Sequence, residues 1–205
     1  LLHTNVQLYD YIHCHSISIN WHSTGHCFSI RGYYHEDQTF NLTITAAPVT
    51  PPGGNNLILN PSLEVGTGST PQSWLTNKWG TNTATFAYPV AGFDGVRAAK
   101  VDITAYTSGD AKWYFADVTV TPGQTYILSN SYNSNKSTQV VVRYTTTANA
   151  FQYVTLATLP SSGNTWQSFS QTITVPADIK SLTLFHVLNS VGSLTVDNYT
   201  LALQP

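Results

Sequence analysis

The sequence predicts an all-β fold, an antiparallel β-sandwich of jelly-roll type, over residues 55–205. Three observations predict it. Short runs with period-two alternation recur at intervals of about 10–14 residues from Asn56 onward. Val, Ile, Thr, Tyr and Phe fill those runs, as a pleated, half-buried surface favours. Turn-forming clusters separate the runs, and none of the stretches between them carries a helical period.

The first 45 residues have a different character. Both Cys, Cys14 and Cys27, and six of the seven His fall within the first 35 positions. Tyr11-Ile12-His13-Cys14-His15 and Thr24-Gly25-His26-Cys27 hold the ligands of a tetrahedral Zn²⁺ site, but a single Cys at each end departs from the C-x-x-C knuckle of a finger. A Cys14–Cys27 disulfide is a second reading, in an oxidising compartment. A poorly ordered segment with free thiols is the plainest reading and ranks before both, with zinc last. Thr39 to Thr45 alternates with period two and reads as one strand. Residues 46–54, rich in Pro and Gly, read as a linker. The expected organisation is therefore residues 1–45 as the remnant of a preceding module or a poorly ordered segment, 46–54 as linker, and 55–205 as the sandwich.

Within the sandwich the expected strands are 56–59, 83–90, 97–104, 111–120, 124–132, 138–146, 151–158, 165–174, 180–188 and 193–203. Turn signals lie between them, among them Gly92-Phe93-Asp94-Gly95, Thr121-Pro122-Gly123 and Ser161-Ser162-Gly163-Asn164. In Pro122-Gly123 the glycine is expected at positive φ. Tyr126 and Leu128 are expected in the core, as are Trp74 and Trp166.

Composition narrows the function. Apolar residues make up 41% of the chain, enough for a core, and charged residues only 9%, against roughly 25% in ordinary soluble domains. Ser, Thr, Asn and Gln must therefore solvate the surface, which points to an extracellular or cell-surface protein. Eight Lys and Arg and a net charge of −2 supply no basic stripe for nucleic acid. No apolar run is long enough to span a membrane as a helix. The chain begins at Leu1 and contains no Met, so it is expected to be part of a longer multi-domain chain. Sequons begin at Asn41, Asn135 and Asn198, relevant in a eukaryotic secretory host.

Several motifs resemble one family. Asn56-Leu57-Ile58-Leu59-Asn60-Pro61-Ser62-Leu63-Glu64 followed by Pro71-Gln72-Ser73-Trp74 resembles the N-L-x-x-N-x-x-F/L-E, P-x-x-W opening of jelly-roll carbohydrate-binding modules of the family 4, 9, 16 and 22 type, which are galactose-binding-domain-like. Gly95 to Val101, Val118 to Tyr126, Trp166 to Ser170 and Val196 to Leu201 resemble that family's later motifs, in the same order. Thr39 to Thr45 resembles the closing strand of bacterial immunoglobulin-like modules. The family resemblance implies polysaccharide binding without catalysis. It also implies a structural Ca²⁺ held by Glu64 of the opening motif and Asp197 of the closing one. A hard cation takes six to eight oxygens from carboxylates and carbonyls. The alternative is that Glu64 is a solvated strand-end residue and Asp197 a local hydrogen-bond acceptor.

Sugars are held by rings stacked on pyranose faces and by polar side chains on hydroxyls. Trp79, Trp113, Tyr132, Tyr153 and Phe185 are candidates for stacking. Gln139, Arg143 and His186 are candidates for polar contacts. With Val140, Val142 and Tyr144 facing the core, Gln139 and Arg143 face outward together. With Val118 and Val120 facing the core, Trp113 and Phe115 fall on the opposite face and are expected outward. Trp79 is expected in a loop at the rim. The competing reading of each ring is a place in the core.

No nucleophile elbow, zinc-protease motif, phosphate loop or dinucleotide fingerprint occurs. A carboxylate pair for glycoside hydrolysis would have to come from Asp102, Asp110 and Asp117. The expected function is non-catalytic binding of β-glucan or xylan-type chains, as a targeting module of a secreted enzyme or surface protein. A structural spacer without a sugar site is the alternative, and a small glycan-cleaving enzyme a third reading.

Overall fold

The computed structural model describes Ser16–Ser23, His26–Tyr33 and residues 56–204. The chain divides into two compact units, Leu1–Ala46 and Ala47–Pro205. In the first unit, β1 (Ser16–Ser23) and β2 (His26–Tyr33) form an antiparallel hairpin in register from Ser16 opposite Tyr33 to Ser23 opposite His26. The sequence pattern had placed no strand there. Cys14, the strand expected at 39–45 and the linker at 46–54 lie outside the described residues.

The second unit is the expected antiparallel β-sandwich of jelly-roll type. Its strands are β3 (Gly66–Thr67), β4 (Thr70–Pro71), β5 (Trp74–Trp79), β6 (Asn82–Val90), β7 (Ala98–Tyr106), β8 (Asp110–Phe115), β9 (Val118–Thr119), β10 (Thr125–Ser134), β11 (Thr138–Thr146), β12 (Phe151–Leu159), β13 (Gln167–Thr174), β14 (Ile179–Val187) and β15 (Gly192–Leu203). One sheet runs β13-β10-β15-β7-β6 and the other β12-β11-β14-β9. Strands β5 and β8 pair with each other. Ala111 of β8 also exchanges two backbone hydrogen bonds of 3.0 Å with Leu188, just beyond β14, so the β5–β8 pair extends the second sheet along the far end of β14.

Alternation builds the core. Val140, Val142 and Tyr144 of β11 and Leu182 and Leu184 of β14 are buried, as are Tyr126 and Leu128 of β10 and Val101 and Ile103 of β7. Residues between them on β11 and β14 face the other way. Gly123 takes φ 77° in the turn before β10, as expected from Pro122-Gly123. Trp74 is in the core, and its indole N–H donates to the Asn60 carbonyl at 3.0 Å. Trp166 is instead half-buried against Phe93, ring centroids 5.6 Å apart.

Other expectations change as well. Residues 56–59 are not a strand: their backbone pairs with β15 only at a bridge between Asn56 and Ala202. Asn60 and Leu63, at φ 54° and 55°, turn the chain away from the sheet immediately afterwards. Trp79 sits at the end of strand β5 rather than in a loop. A further change concerns Trp113, expected to face outward. It is 3% exposed, and its indole N–H donates to the Lys100 carbonyl at 2.9 Å. The expected strand 111–120 is in fact two, β8 and β9, separated by Ala116 and Asp117. That interruption resets the alternation, so Ala111, Trp113 and Phe115 join Val120 in the core while Lys112 and Tyr114 point to the opposite face.

His186 and Tyr132, offered as sugar ligands, also belong to the interior, at 0% and 4% exposure. Asn130 Nδ2 lies 2.9 Å from His186 Nδ1 and Thr138 Oγ1 lies 2.8 Å from Nε2. With the amide donating to Nδ1, Nε2–H donates to the threonine, and both ring nitrogens of the neutral imidazole are satisfied. Tyr132 packs on the ring at 4.8 Å.

Trp113→Ala is expected to destabilise the fold by about 3–5 kcal/mol, the usual cost of emptying a large core site, measurable by urea denaturation. His186 is expected to make stability pH-dependent. Burial lowers its pKa from 6.5 to about 3. The unfolded chain then binds the proton that the folded chain refuses, so stability falls as pH drops from 6.5 toward 3. The stability difference between the protein and His186→Gln should narrow on acidification, by at most about 1.4 kcal/mol per pH unit. A difference that is constant from pH 7 to pH 4 would sink the assignment.

Candidate functional site

The outward face of the second sheet, with β5 and β8, forms a cleft of about 440 Å³. Its lining is the alternation made visible. Asn77 and Trp79 come from β5, Asp110, Lys112 and Tyr114 from β8, Phe185 and Val187 from β14, Val141 and Arg143 from β11, and Tyr153 from β12. Every contribution from a single strand is spaced by two residues, as one face of a pleated sheet requires.

Two aromatic rings stand up from the lining. Trp79 is 61% exposed and Tyr153 60%. The indole N–H of Trp79 donates to the carboxylate of Asp110, its cross-strand partner. The strand end that carries Trp79 is fixed by close backbone contact, since a Cβ on Gly109 would lie 1.9 Å from the Trp79 carbonyl oxygen. Only glycine fits there, and φ 88° suits it equally. A ring held in this way loses little entropy when a ligand stacks on it.

The two cations of the lining are each held in an ion pair. Lys112 Nζ donates to Asp110 and sits 4.9 Å from the centroid of Phe185. The Arg143 guanidinium pairs with Asp117 and lies over Phe151, Phe185 and Tyr114 at 4.6, 5.4 and 5.7 Å. Asp117, set in the interruption between β8 and β9, also accepts the hydroxyl of Thr145 at 2.7 Å. Arginine is suited to this position because its flat cation stacks on rings while its edge bonds a carboxylate.

Of the residues singled out from sequence, Trp79, Arg143, Tyr153 and Phe185 come together here. Gln139 shares their sheet face two positions from Val141 but does not line the cleft. Trp113, Tyr132 and His186 do not reach it. Lys112 and Tyr114 were missed, and Asp110 and Asp117 were named only as members of a possible carboxylate pair; Asp117 stands behind Arg143, outside the lining. Pairing with β5 and the parity of β8 place Asp110, Lys112 and Tyr114, and the break after β8 places Asp117; none of these is visible in local sequence.

Glu64 and Asp197 both grip the loop from Phe93 to Arg97. Glu64 Oε1 accepts the N–H groups of Val96 and Arg97 at 2.9 and 2.8 Å. Asp197 Oδ2 accepts those of Phe93 and Asp94 at 2.8 and 3.0 Å. Asp197 is fully buried because the ladder between β10 and β15 shifts register there, with Asn198 at φ 51°. Burial pushes its pKa from 3.8 up to about 6, against the pull of three backbone N–H groups and with the charge of Asp94 adding to the rise. A buried carboxylate short of positive charge fits a hard cation. Among the described residues no three His, Cys, Asp or Glu side chains converge on one point, so a cation here would draw its other oxygens from carbonyls or water.

No family model and no curated protein matches the sequence. Solved structures match the fold. The enzymatically active domain of tailspike protein 4 from bacteriophage CBA120 has a TM-score of 0.59 at 17% identity, over 74% of this chain and 22% of that one. The CBM22-1 xylan-binding domain of Paenibacillus barcinonensis Xyn10C has a TM-score of 0.51 at 14% identity, over 66% of this chain and 88% of that one. The C-terminal family 22 carbohydrate-binding module of Clostridium thermocellum Xyn10B has a TM-score of 0.51 at 16% identity, over 74% and 97%. The chain thus spans about a fifth of the tailspike domain and nearly the whole of each family 22 module. The sandwich has the fold of jelly-roll carbohydrate-binding modules, a fold that also occurs within an enzymatically active tailspike domain.

Proposed function

We propose that the sandwich binds a polysaccharide chain in the cleft, of the xylan or β-glucan type, without cleaving it, and that it serves outside the cell as a targeting module. One observation carries this reading: Trp79 and Tyr153, both in the lining of the cleft, remain more than half exposed, and Trp79 is held in place by Asp110. Water-exposed rings with fixed edges are a stacking surface for sugar C–H faces. The sharing of the fold with a xylan-binding domain supports the substrate class. Binding without cleavage is supported by the state of the carboxylates. Asp110 is engaged by Lys112 and Trp79, and Asp117 by Arg143 and Thr145. Both carboxylates thus have a structural use in holding side chains of the cleft, whereas hydrolysis needs a pair placed on either side of a scissile bond.

The same reading includes Ca²⁺ held by Glu64 and Asp197. Bound there, the ion would neutralise the buried carboxylate and tie the opening segment and the loop from Phe93 to Arg97 to β15. It would have no part in sugar binding.

Pull-down on insoluble xylan, cellulose and β-1,3-glucan tests the main proposal. Retention on at least one is expected. Trp79→Ala and Tyr153→Ala should each weaken it by about tenfold or more, equivalent to about 1.4 kcal/mol, with melting temperature little changed. Retention on none would favour the spacer reading, and release of oligosaccharides would make the protein an enzyme. For the ion, the melting temperature in excess Ca²⁺ should exceed that in chelator by about 5–10 °C when the site is saturated about 100-fold above Kd. Equal temperatures exclude a structural ion.

A further inference from the structure

We infer that the cleft selects uncharged glycans over uronate-bearing ones, and that Asp117 and Asp110 are the specificity-determining residues. The inference rests on the cleft being the glycan site. Arg143 and Lys112 are the two cations in its lining. Each is joined to a carboxylate of the same chain, Arg143 to Asp117 and Lys112 to Asp110. Each is also covered by rings, Arg143 by Phe151, Phe185 and Tyr114 and Lys112 by Phe185. Their side chains are only 15% and 5% exposed.

The consequence is a floor without net charge. A uronate reaching Arg143 or Lys112 would have to break an existing ion pair and would bring its charge close to a carboxylate that stays behind. In a partly desolvated site that like-charge approach is screened much less than at an open surface. A neutral pyranose meets no such cost. Its ring stacks on Trp79 or Tyr153, and its hydroxyls need only dipoles. Asp117 lies outside the lining and acts through Arg143, holding it flat among the rings and cancelling its charge.

Isothermal titration calorimetry on the full chain tests this, with arabinoxylan and mixed-linkage β-glucan as neutral polymers and polygalacturonate as the acidic one. At low salt a neutral polymer should bind at least about tenfold more tightly than polygalacturonate. That affinity should change less than about twofold between about 20 mM and 500 mM NaCl, a range over which exposed charge attraction is screened away. Asp117→Asn uncovers the charge of Arg143 and should gain polygalacturonate binding of about tenfold at low salt, lost at high salt. Asp110→Asn, which leaves Lys112 unpaired, is made alongside in case the first variant does not fold. Tighter binding of polygalacturonate by the unaltered protein, or strongly salt-sensitive binding of the neutral polymers, overturns the inference and leaves the glycan-binding reading standing. Folded variants that gain no acidic binding overturn the role given to the two carboxylates. Binding of no polymer at all overturns the glycan-binding reading and the inference with it.

Discussion

A strand that packs one side into a core must turn every second residue away from it, and the cleft is made from those turned-away residues. The burial of Val140, Val142 and Tyr144 on β11 fixes Val141 and Arg143 outward. The burial of Leu182, Leu184 and His186 on β14 does the same for Phe185 and Val187. A one-residue slip in either strand would turn its core residues into the cleft and its cleft residues, Arg143 among them, into the core. Hydrophobic burial therefore sets the position of the polar groups, and core and site cannot vary independently.

The interruption at Ala116 and Asp117 gives that constraint its particular form. Had β8 run unbroken into β9, Val118 and Val120 would have dictated an outward Trp113 and an inward Tyr114. Two residues outside the ladder let β8 and β9 lie along opposite ends of β14 with independent phase. The same interruption frees Asp117 from strand geometry, so its carboxylate reaches Arg143 and Thr145 on β11. One local irregularity thus buries an indole, turns Tyr114 and Lys112 toward the cleft, and supplies the counter-ion for Arg143.

This is also why the fold was legible in the sequence and the site only partly so. Alternation and turn residues are local, and they located β6 to β15 to within a few residues, apart from the division of β8 from β9. Asn56 and Asn60 proved to be structural, closing the opening segment onto β15 and the β5 entrance by side-chain hydrogen bonds. The position of His186 was within reach of the same alternation, since it is in phase with Leu182 and Leu184. The phase of β8 was not, because nothing local announces that Ala116 leaves the ladder. Strand β5 was missed because only Trp74 in it is buried. An edge strand paired to one neighbour need not alternate in composition, so Trp79 read as a loop residue.

The distribution of unsatisfied groups carries the argument one step further. The deepest polar cluster, His186 with Asn130 and Thr138, is paired on both ring nitrogens. The buried side-chain atoms without a protein partner, among the described residues, are Arg143 Nε, Asn82 Oδ1 and the Tyr199 hydroxyl. A buried polar atom left with no partner at all would cost on the order of 1–3 kcal/mol, so each of these three calls for water or a ligand as its partner. None is at a random place. Arg143 is on the floor of the cleft, Asn82 donates its amide to the carbonyl of Trp79 at 2.9 Å, and Tyr199 is two residues from Asp197 on β15. The innermost histidine is thus satisfied by the chain itself, whereas the atoms left for water or ligand to satisfy stand on an arginine of the cleft, beside the backbone of Trp79 and on the strand of Asp197.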